Sequence, residues 1–233
     1  MQIQFSKSGC IVCVLAWLGL SAWVAVVTML RRCFREPVAE LELAAGLLAE
    51  AARAHQAGNS LEASRRIVEA DLPALREWTE SLWGKASPWR RRVSCAVAGP
   101  APGRGLGPRM PGKAMRAALI QRDGYHCRFC GVAVIRHEVR QRIAKLYPQA
   151  LRWGRSNAQQ HAAFQAMWLQ YDHLQPHTRG GPTTMENLVI ACAPCNFCRM
   201  EASLEEVGLL NPLEHEPRRS SWDGLESFAL PGR

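Results

Sequence analysis

The sequence has no low-complexity tract and no collagen-like glycine period, which excludes fibrous and wholly disordered classes of protein. Charged residues make up 21% of the chain and hydrophobic residues 48%, as is usual for a globular protein. At about 100–200 residues per domain, the 233 residues provide one ordinary domain with additional segments, or two small domains.

Acidic side chains are absent from residues 84–122, a stretch that carries nine basic side chains. The neighbouring segments differ, with net charges of −5 over residues 36–83 and +1 over residues 123–233. The basic excess, part of a formal net charge of +9, is therefore concentrated between Lys85 and Arg122. Such a block suits a strip that contacts the phosphates of a nucleic acid, and it suits a solvated linker equally well.

Charged side chains are also absent from Ser8 to Leu30, a 23-residue apolar run that three arginines closely follow. A run of this length can span a membrane, and the basic residues after it place the rest of the chain in the cytoplasm, tethered to the inner face. The alternative is an over-extended start, with translation beginning near Met29. A cleaved signal peptide fits less well, because its apolar region is usually shorter.

The chain is predicted to have five segments. Over residues 36–83, apolar residues recur at helical spacing, and Gly58-Asn59-Ser60 and Asp71-Leu72-Pro73 separate three predicted helices. Prolines and glycines predict a linker or extended arm over residues 84–113. The segments are an apolar N-terminal segment (1–35), a helical hairpin segment (36–83), a basic Pro/Gly-rich linker (84–113), a second domain (114–210) and a tail (211–233).

Two cysteine pairs, Cys127-Arg-Phe-Cys130 and Cys192-Ala-Pro-Cys195, are separated by 61 residues. Each pair lets two thiolates of one tight turn bind one ion, and two pairs complete a tetrahedron, so the spacing predicts structural zinc. Disulfides and buried free thiols are the alternatives, and disulfides are typical of small secreted scaffolds. Cys198 forms an overlapping pair with Cys195, which leaves the register of the zinc ligands open.

Further motifs lie between and beside the cysteine pairs. They are Tyr171-Asp172-His173-Leu174-Gln175-Pro176, Thr178-Arg179-Gly180-Gly181, Glu186-Asn187-Leu188 and Cys195-Asn196. In this order the motifs resemble the HNH endonuclease family over about residues 118–208. The resemblance implies an α+β, ββα-metal nuclease domain: a strand with Asp172 and His173, a second strand over Leu188–Ala191, and a helix from near Cys195. A long insert, residues 131–170, departs from the family pattern and is predicted to form helices over about 134–147 and 157–169.

The resemblance also implies a role for each polar residue of the motif. His173 matches the general base that activates water, and Asn187 matches the residue that holds the loop and orients that base. Asp172 and Asn196 match ligands of a catalytic Mg²⁺ or Mn²⁺, and Arg199 stands where members contact phosphate. Cys127, Cys130, Cys192 and Cys195 match the zinc ligands of the zinc-bearing subgroup.

These residue types suit the hydrolysis of a phosphodiester. A neutral imidazole is a suitable base near pH 7, and hard divalent ions prefer oxygen ligands. Zinc bound by four thiolates has no open position, so it is structural. The sequence therefore predicts a metal-dependent endonuclease that acts on DNA and needs no small-molecule cofactor. The alternative is a zinc-stabilised nucleic-acid-binding module without catalysis; the oligomeric state does not follow from the sequence.

Overall fold

The computed structural model describes residues 30–89 and 107–229. The predicted anchor at residues 8–30 lies outside these ranges except for Leu30, and so does most of the basic linker. Among the described residues, no helix has the length and apolar character needed to cross a membrane.

Three helices form the N-terminal part of the described chain, as the sequence predicted: α1 (Glu40–Gln56), α2 (Ser60–Glu69) and α3 (Pro73–Trp83). The Asn59 side chain caps α2 by accepting a hydrogen bond from the Glu62 amide at 3.1 Å. Proline occupies the first position of α3, where its missing N–H costs no helical hydrogen bond. These local signals set the helix ends.

The second described range, residues 107–229, contains two strands and four α-helices. The helices are α4 (Lys113–Asp123), α5 (His137–Leu146), α6 (Ala162–Ala166) and α7 (Ala193–Arg199). Strands β1 (Leu169–His173) and β2 (Leu188–Cys192) pair antiparallel, with His173 opposite Leu188, and α7 follows β2 directly. This mixed arrangement confirms the predicted α+β class and the ββα unit.

The second helix of the insert differs from its prediction over residues 157–169. A short 3-10 turn covers Asn157–Gln159, and α6 spans five residues only. Trp168 then bridges to Ile135, and Leu169 already pairs with Cys192 in the sheet. The last residue of the segment, for which helical periodicity predicted a helix, therefore belongs to strand β1.

The three N-terminal helices pack on the ββα part, and one buried cluster joins residues of both. The buried His161, which precedes α6, donates from Nε2 to the Ile67 carbonyl oxygen at 2.7 Å. Two backbone hydrogen bonds add to this contact: the Arg31 amide donates to the Gly208 carbonyl oxygen at 3.1 Å, and the Leu210 amide donates to the Arg31 carbonyl oxygen at 2.9 Å. The N-terminal helices thus complete the hydrophobic core around the site.

The tail after residue 210 returns to the same body. The Trp222 indole donates to the Val134 carbonyl oxygen at 3.0 Å. The buried ring of Phe228 stacks on His55 of α1, with the ring centroids 5.0 Å apart. These contacts tie the C-terminal residues to α1 and to the insert.

Candidate active site and metal centre

Four cysteines converge at the junction of β2, α7 and the turn that follows α4. The sulfur atoms of Cys127, Cys130, Cys192 and Cys195 all lie within 4.8 Å of one another, and those of Cys130 and Cys192 are 3.6 Å apart. Zinc–thiolate bonds of about 2.3 Å place tetrahedral sulfurs just under 4 Å apart. The donor set therefore fits one zinc ion with no open position.

Cys198, which forms an overlapping CxxC pair with Cys195 in the sequence, is not part of this cluster. Cys198 is buried, and burial raises the pKa of its thiol to about 12. A buried, protonated thiol of this kind behaves as a small apolar side chain. Among the described residues, the geometry therefore favours the pair that ends at Cys195.

His173 ends β1 and is 7% exposed. Its Nε2 atom lies 2.9 Å from the hydroxyl of Thr183, and its ring lies 5.4 Å from that of His177. Burial, together with the electrostatic influence of His177, Arg109 and Arg199, lowers the pKa of His173 to about 4. The imidazole is therefore neutral at pH 7, the form in which it can accept a proton.

The loop between the strands is held by Asn187. Its side-chain amide accepts from the Gln175 amide at 2.8 Å and donates to the carbonyl oxygens of Gln175 and Pro182. Gly181 allows this close approach, because a Cβ atom there would stand 1.9 Å from the Gln175 carbonyl oxygen. Gly180 has a φ of 86°, which suits glycine. These bonds join the residues at the two ends of the loop.

Asp172 and Arg199 form an ion pair in the interior. Arg199 is 1% exposed and donates to both Asp172 carboxylate oxygens, at 2.5 and 3.2 Å. It also donates to the backbone carbonyl oxygens of Leu174, Ala202 and His173. This differs from the expectation that Arg199 contacts phosphate, since its donors are turned to the protein itself. The guanidinium instead holds β1 against the end of α7.

The ion pair also affects the carboxyl group of Asp172, the predicted ligand of the divalent ion. Asp172 is 4% exposed; burial raises the pKa of its carboxyl group, and the Arg199 guanidinium opposes that shift. Each carboxylate oxygen accepts one hydrogen bond from Arg199, and the backbone amide of His173 donates a further one, which leaves one lone pair of the carboxylate without a hydrogen bond. Asp172 therefore retains capacity to bind a cation.

A cavity of about 260 Å³ brings most of the predicted residues together. Asp172, His173 and the half-buried Asn196 line it, whereas Asn187 is not among the residues that line it. Its other lining residues include Arg109, Tyr171, His177, Phe197 and Arg199. One water-accessible space thus contains a neutral imidazole, a carboxylate and an amide.

Sequence reasoning did not single out Thr183 or Arg109, although both bear on His173. Thr183 contacts the imidazole across the loop, and Arg109 reaches the cavity from the segment before α4. No local pattern marks either residue, because both approach through tertiary packing. His177 also lines the cavity, and its Nε2 atom is buried without a hydrogen-bond partner among the described residues.

A β-hairpin followed by a helix, with a histidine beside a four-cysteine cluster, defines the ββα-metal class of site. Residues 159–199 match the family model of the HNH endonucleases, described as HNH endonuclease. The match confirms the resemblance that the motifs predicted, and it covers both strands, the glycine loop and α7. No curated protein and no solved structure matches the chain significantly. The family match indicates a nuclease.

Proposed function

We propose that the protein is a metal-dependent endonuclease that hydrolyses phosphodiester bonds of DNA. The observation that carries this proposal is the cavity in which His173 adjoins Asp172 and Asn196. A module that only binds nucleic acid has no need of a neutral, buried imidazole beside oxygen ligands. The alternative, a zinc-stabilised binding module without catalysis, is kept as an outcome of the test.

His173 is the general base in this proposal. A water molecule in the cavity loses its proton to the unprotonated ring nitrogen of His173 and attacks phosphorus. The bond from phosphorus to the leaving oxygen breaks, and that oxygen takes a proton from solvent. Asn187 supports this step indirectly, since it holds the loop that contacts the imidazole.

A divalent ion is the second requirement. Asp172 and Asn196 line the same cavity and offer a carboxylate and an amide oxygen, the donors that Mg²⁺ or Mn²⁺ prefers. When bound, such an ion compensates the charge that develops on the leaving oxygen. The four cysteines, Cys127, Cys130, Cys192 and Cys195, hold the structural zinc. Arg109 and Arg199 both line the cavity, but the Arg199 guanidinium already donates to Asp172 and to backbone carbonyl oxygens, so Arg109 takes the phosphate-contacting role that the sequence had assigned to Arg199.

The DNA contact extends to the basic block. Lys113 and Arg109 of this block are exposed in the structure, and the remaining arginines of residues 90–106 lie outside the described ranges. The arginines that follow the apolar run favour a cytoplasmic location for this DNA-binding part, with the membrane tether as a further proposal. The five-segment division of the chain also stays a proposal.

The test uses supercoiled plasmid and zinc-loaded protein that has been freed of other divalent ions. Cleavage is expected after addition of Mg²⁺ or Mn²⁺ and not before. Asn196→Ala is expected to need a higher concentration of the ion, whereas the matched control Asn157→Ala, at an exposed position away from the cavity, behaves as wild type. DNA binding without cleavage under all these conditions would support the binding module instead.

A further inference from the structure

Thr183 lies between His173 and the chain segment that leads into α4. We name residues 107–112 the strap; it is the described end of the basic linker. The Thr183 hydroxyl oxygen lies 2.9 Å from His173 Nε2 and 2.8 Å from the carbonyl oxygen of Pro108 in the strap. A three-member hydrogen-bonded chain therefore runs from the imidazole to the strap.

The direction of these hydrogen bonds follows from their chemistry. A carbonyl oxygen can only accept, so the single hydroxyl proton of Thr183 is donated to Pro108. The hydroxyl oxygen then accepts from His173, which places the imidazole proton on Nε2. In the neutral ring the other nitrogen, Nδ1, carries no proton. Nδ1 is thus the atom that can accept a proton from water.

The loop gives Thr183 a fixed place. Pro182, the preceding residue, accepts from the Asn187 side chain at 2.8 Å, and the Asn187 amide donates to the Thr184 carbonyl oxygen at 3.3 Å. Thr183 is therefore pinned on both sides by one asparagine. This arrangement connects Asn187 to His173 through the loop, since the hydrogen bonds of the Asn187 side chain go to Gln175 and Pro182 and that of the imidazole goes to Thr183.

The strap reaches the cavity at the same place. Arg109 and Met110, which follow Pro108, line the cavity beside His173. Arg116 of α4 fixes the far end of the strap by donating to the Pro111 carbonyl oxygen at 2.8 Å. The hydrogen bond from Thr183 therefore holds both the imidazole and the strap at the rim of the cavity.

We propose that Thr183 is a positioning residue, which fixes His173 in the tautomer protonated at Nε2 and so leaves Nδ1 as the general base. The proposal rests on the proposed function, because it assigns Thr183 to the same reaction. Loss of the hydroxyl lets the ring rotate and exchange tautomers, so that the reactive nitrogen faces water for only part of the time. Removal of the hydrogen-bond partner of a metal-bound histidine usually costs about 10–100-fold, and we expect a loss of the same order here.

The first measurement is nitrogen-15 NMR of the histidine side chains in zinc-loaded protein, with His173 assigned by its loss in His173→Ala. Wild type is expected to show His173 protonated at Nε2 and unprotonated at Nδ1. Thr183→Val, which keeps the shape but lacks the hydroxyl, is expected to show a mixture of tautomers. An Nδ1-protonated ring in wild type would overturn the proposal whether or not any variant folds.

The second measurement is cleavage at saturating DNA, with the dissociation constant of the DNA complex measured in parallel. Thr183→Val is expected to lose about 10–100-fold in kcat with an unchanged dissociation constant, and Thr183→Ser is expected to restore kcat. Thr184→Val is the matched control, because the Thr184 side chain hydrogen-bonds to Glu186, whereas His173 Nε2 bonds to Thr183. Equal kcat in Thr183→Val and wild type would overturn the proposal. Absence of cleavage in wild type would instead refute the nuclease function, and the NMR result would still decide the tautomer.

Discussion

Removal of the Arg199 guanidinium is the perturbation for which the structure gives the clearest magnitude. Arg199→Leu removes five hydrogen bonds, two of them to Asp172. It leaves the Asp172 carboxylate, 4% exposed, without its cationic partner. Breaking a buried ion pair by removing one member costs about 3–5 kcal/mol. Because domains are stable by about 5–15 kcal/mol, we expect a large loss in the free energy of unfolding.

Urea-induced unfolding of zinc-loaded protein, followed by tryptophan fluorescence, measures this loss. Arg179→Leu is the control, since Arg179 pairs with Glu206 at 2.5 Å nearer the surface. Surface ion pairs contribute about 0–1 kcal/mol, so the control is expected to unfold close to wild type. The free energy of unfolding of Arg199→Lys is expected to lie between those of wild type and Arg199→Leu, because an ammonium group cannot form the bidentate contact with a carboxylate.

A wild-type stability of Arg199→Leu would instead support the expectation that Arg199 contacts phosphate. If Arg199→Leu unfolds at the wild-type urea concentration but binds DNA more weakly, with a flatter dependence on salt, its guanidinium contacts the backbone of DNA. The internal ion pair would then be an incorrect description of the residue in solution.

Three other changes test separate parts of the account. Cys198→Ser is expected to retain zinc, whereas Cys130→Ser releases it and unfolds the domain, as metal content and circular dichroism will show. Asn187→Ala is expected to cost about 1–3 kcal/mol through unsatisfied loop groups and to speed hydrogen exchange at the Gln175 amide. His161 has a pKa lowered by burial, so the folded state resists its protonation, and the free energy of unfolding is expected to fall as the pH drops below about 6.5. His161→Gln should make that pH dependence shallower.

Features with local causes could be predicted from the sequence. The cap at Asn59, the proline that begins α3 and the two CxxC turns act over a few residues, so their patterns are visible in the chain. The order of the motifs around His173 likewise predicted the ββα unit that the family match confirms. The helix ends, the CxxC turns and the ββα unit could therefore be predicted from local patterns and from the order of the motifs.

Features that depend on distant contacts could not be predicted. The segment over residues 157–169 has helical periodicity, but pairing of Leu169 with Cys192 ends the helix early. Arg199 occupies a motif position, yet burial beside Asp172 decides its contacts. Thr183 acquires its partner from the strap, 75 residues earlier in the chain. In each case tertiary packing overrides the local pattern.

The most direct test of the central claim is the single-turnover rate of plasmid cleavage by zinc-loaded His173→Ala in saturating Mg²⁺ or Mn²⁺. The account predicts near-native DNA binding, retained zinc and a rate reduced by about 10²–10⁴-fold, the usual contribution of a general base. His215→Ala, a histidine away from the cavity, should cleave as wild type does. Wild-type cleavage by His173→Ala would contradict the account, because the cavity would then not be where the phosphodiester is hydrolysed.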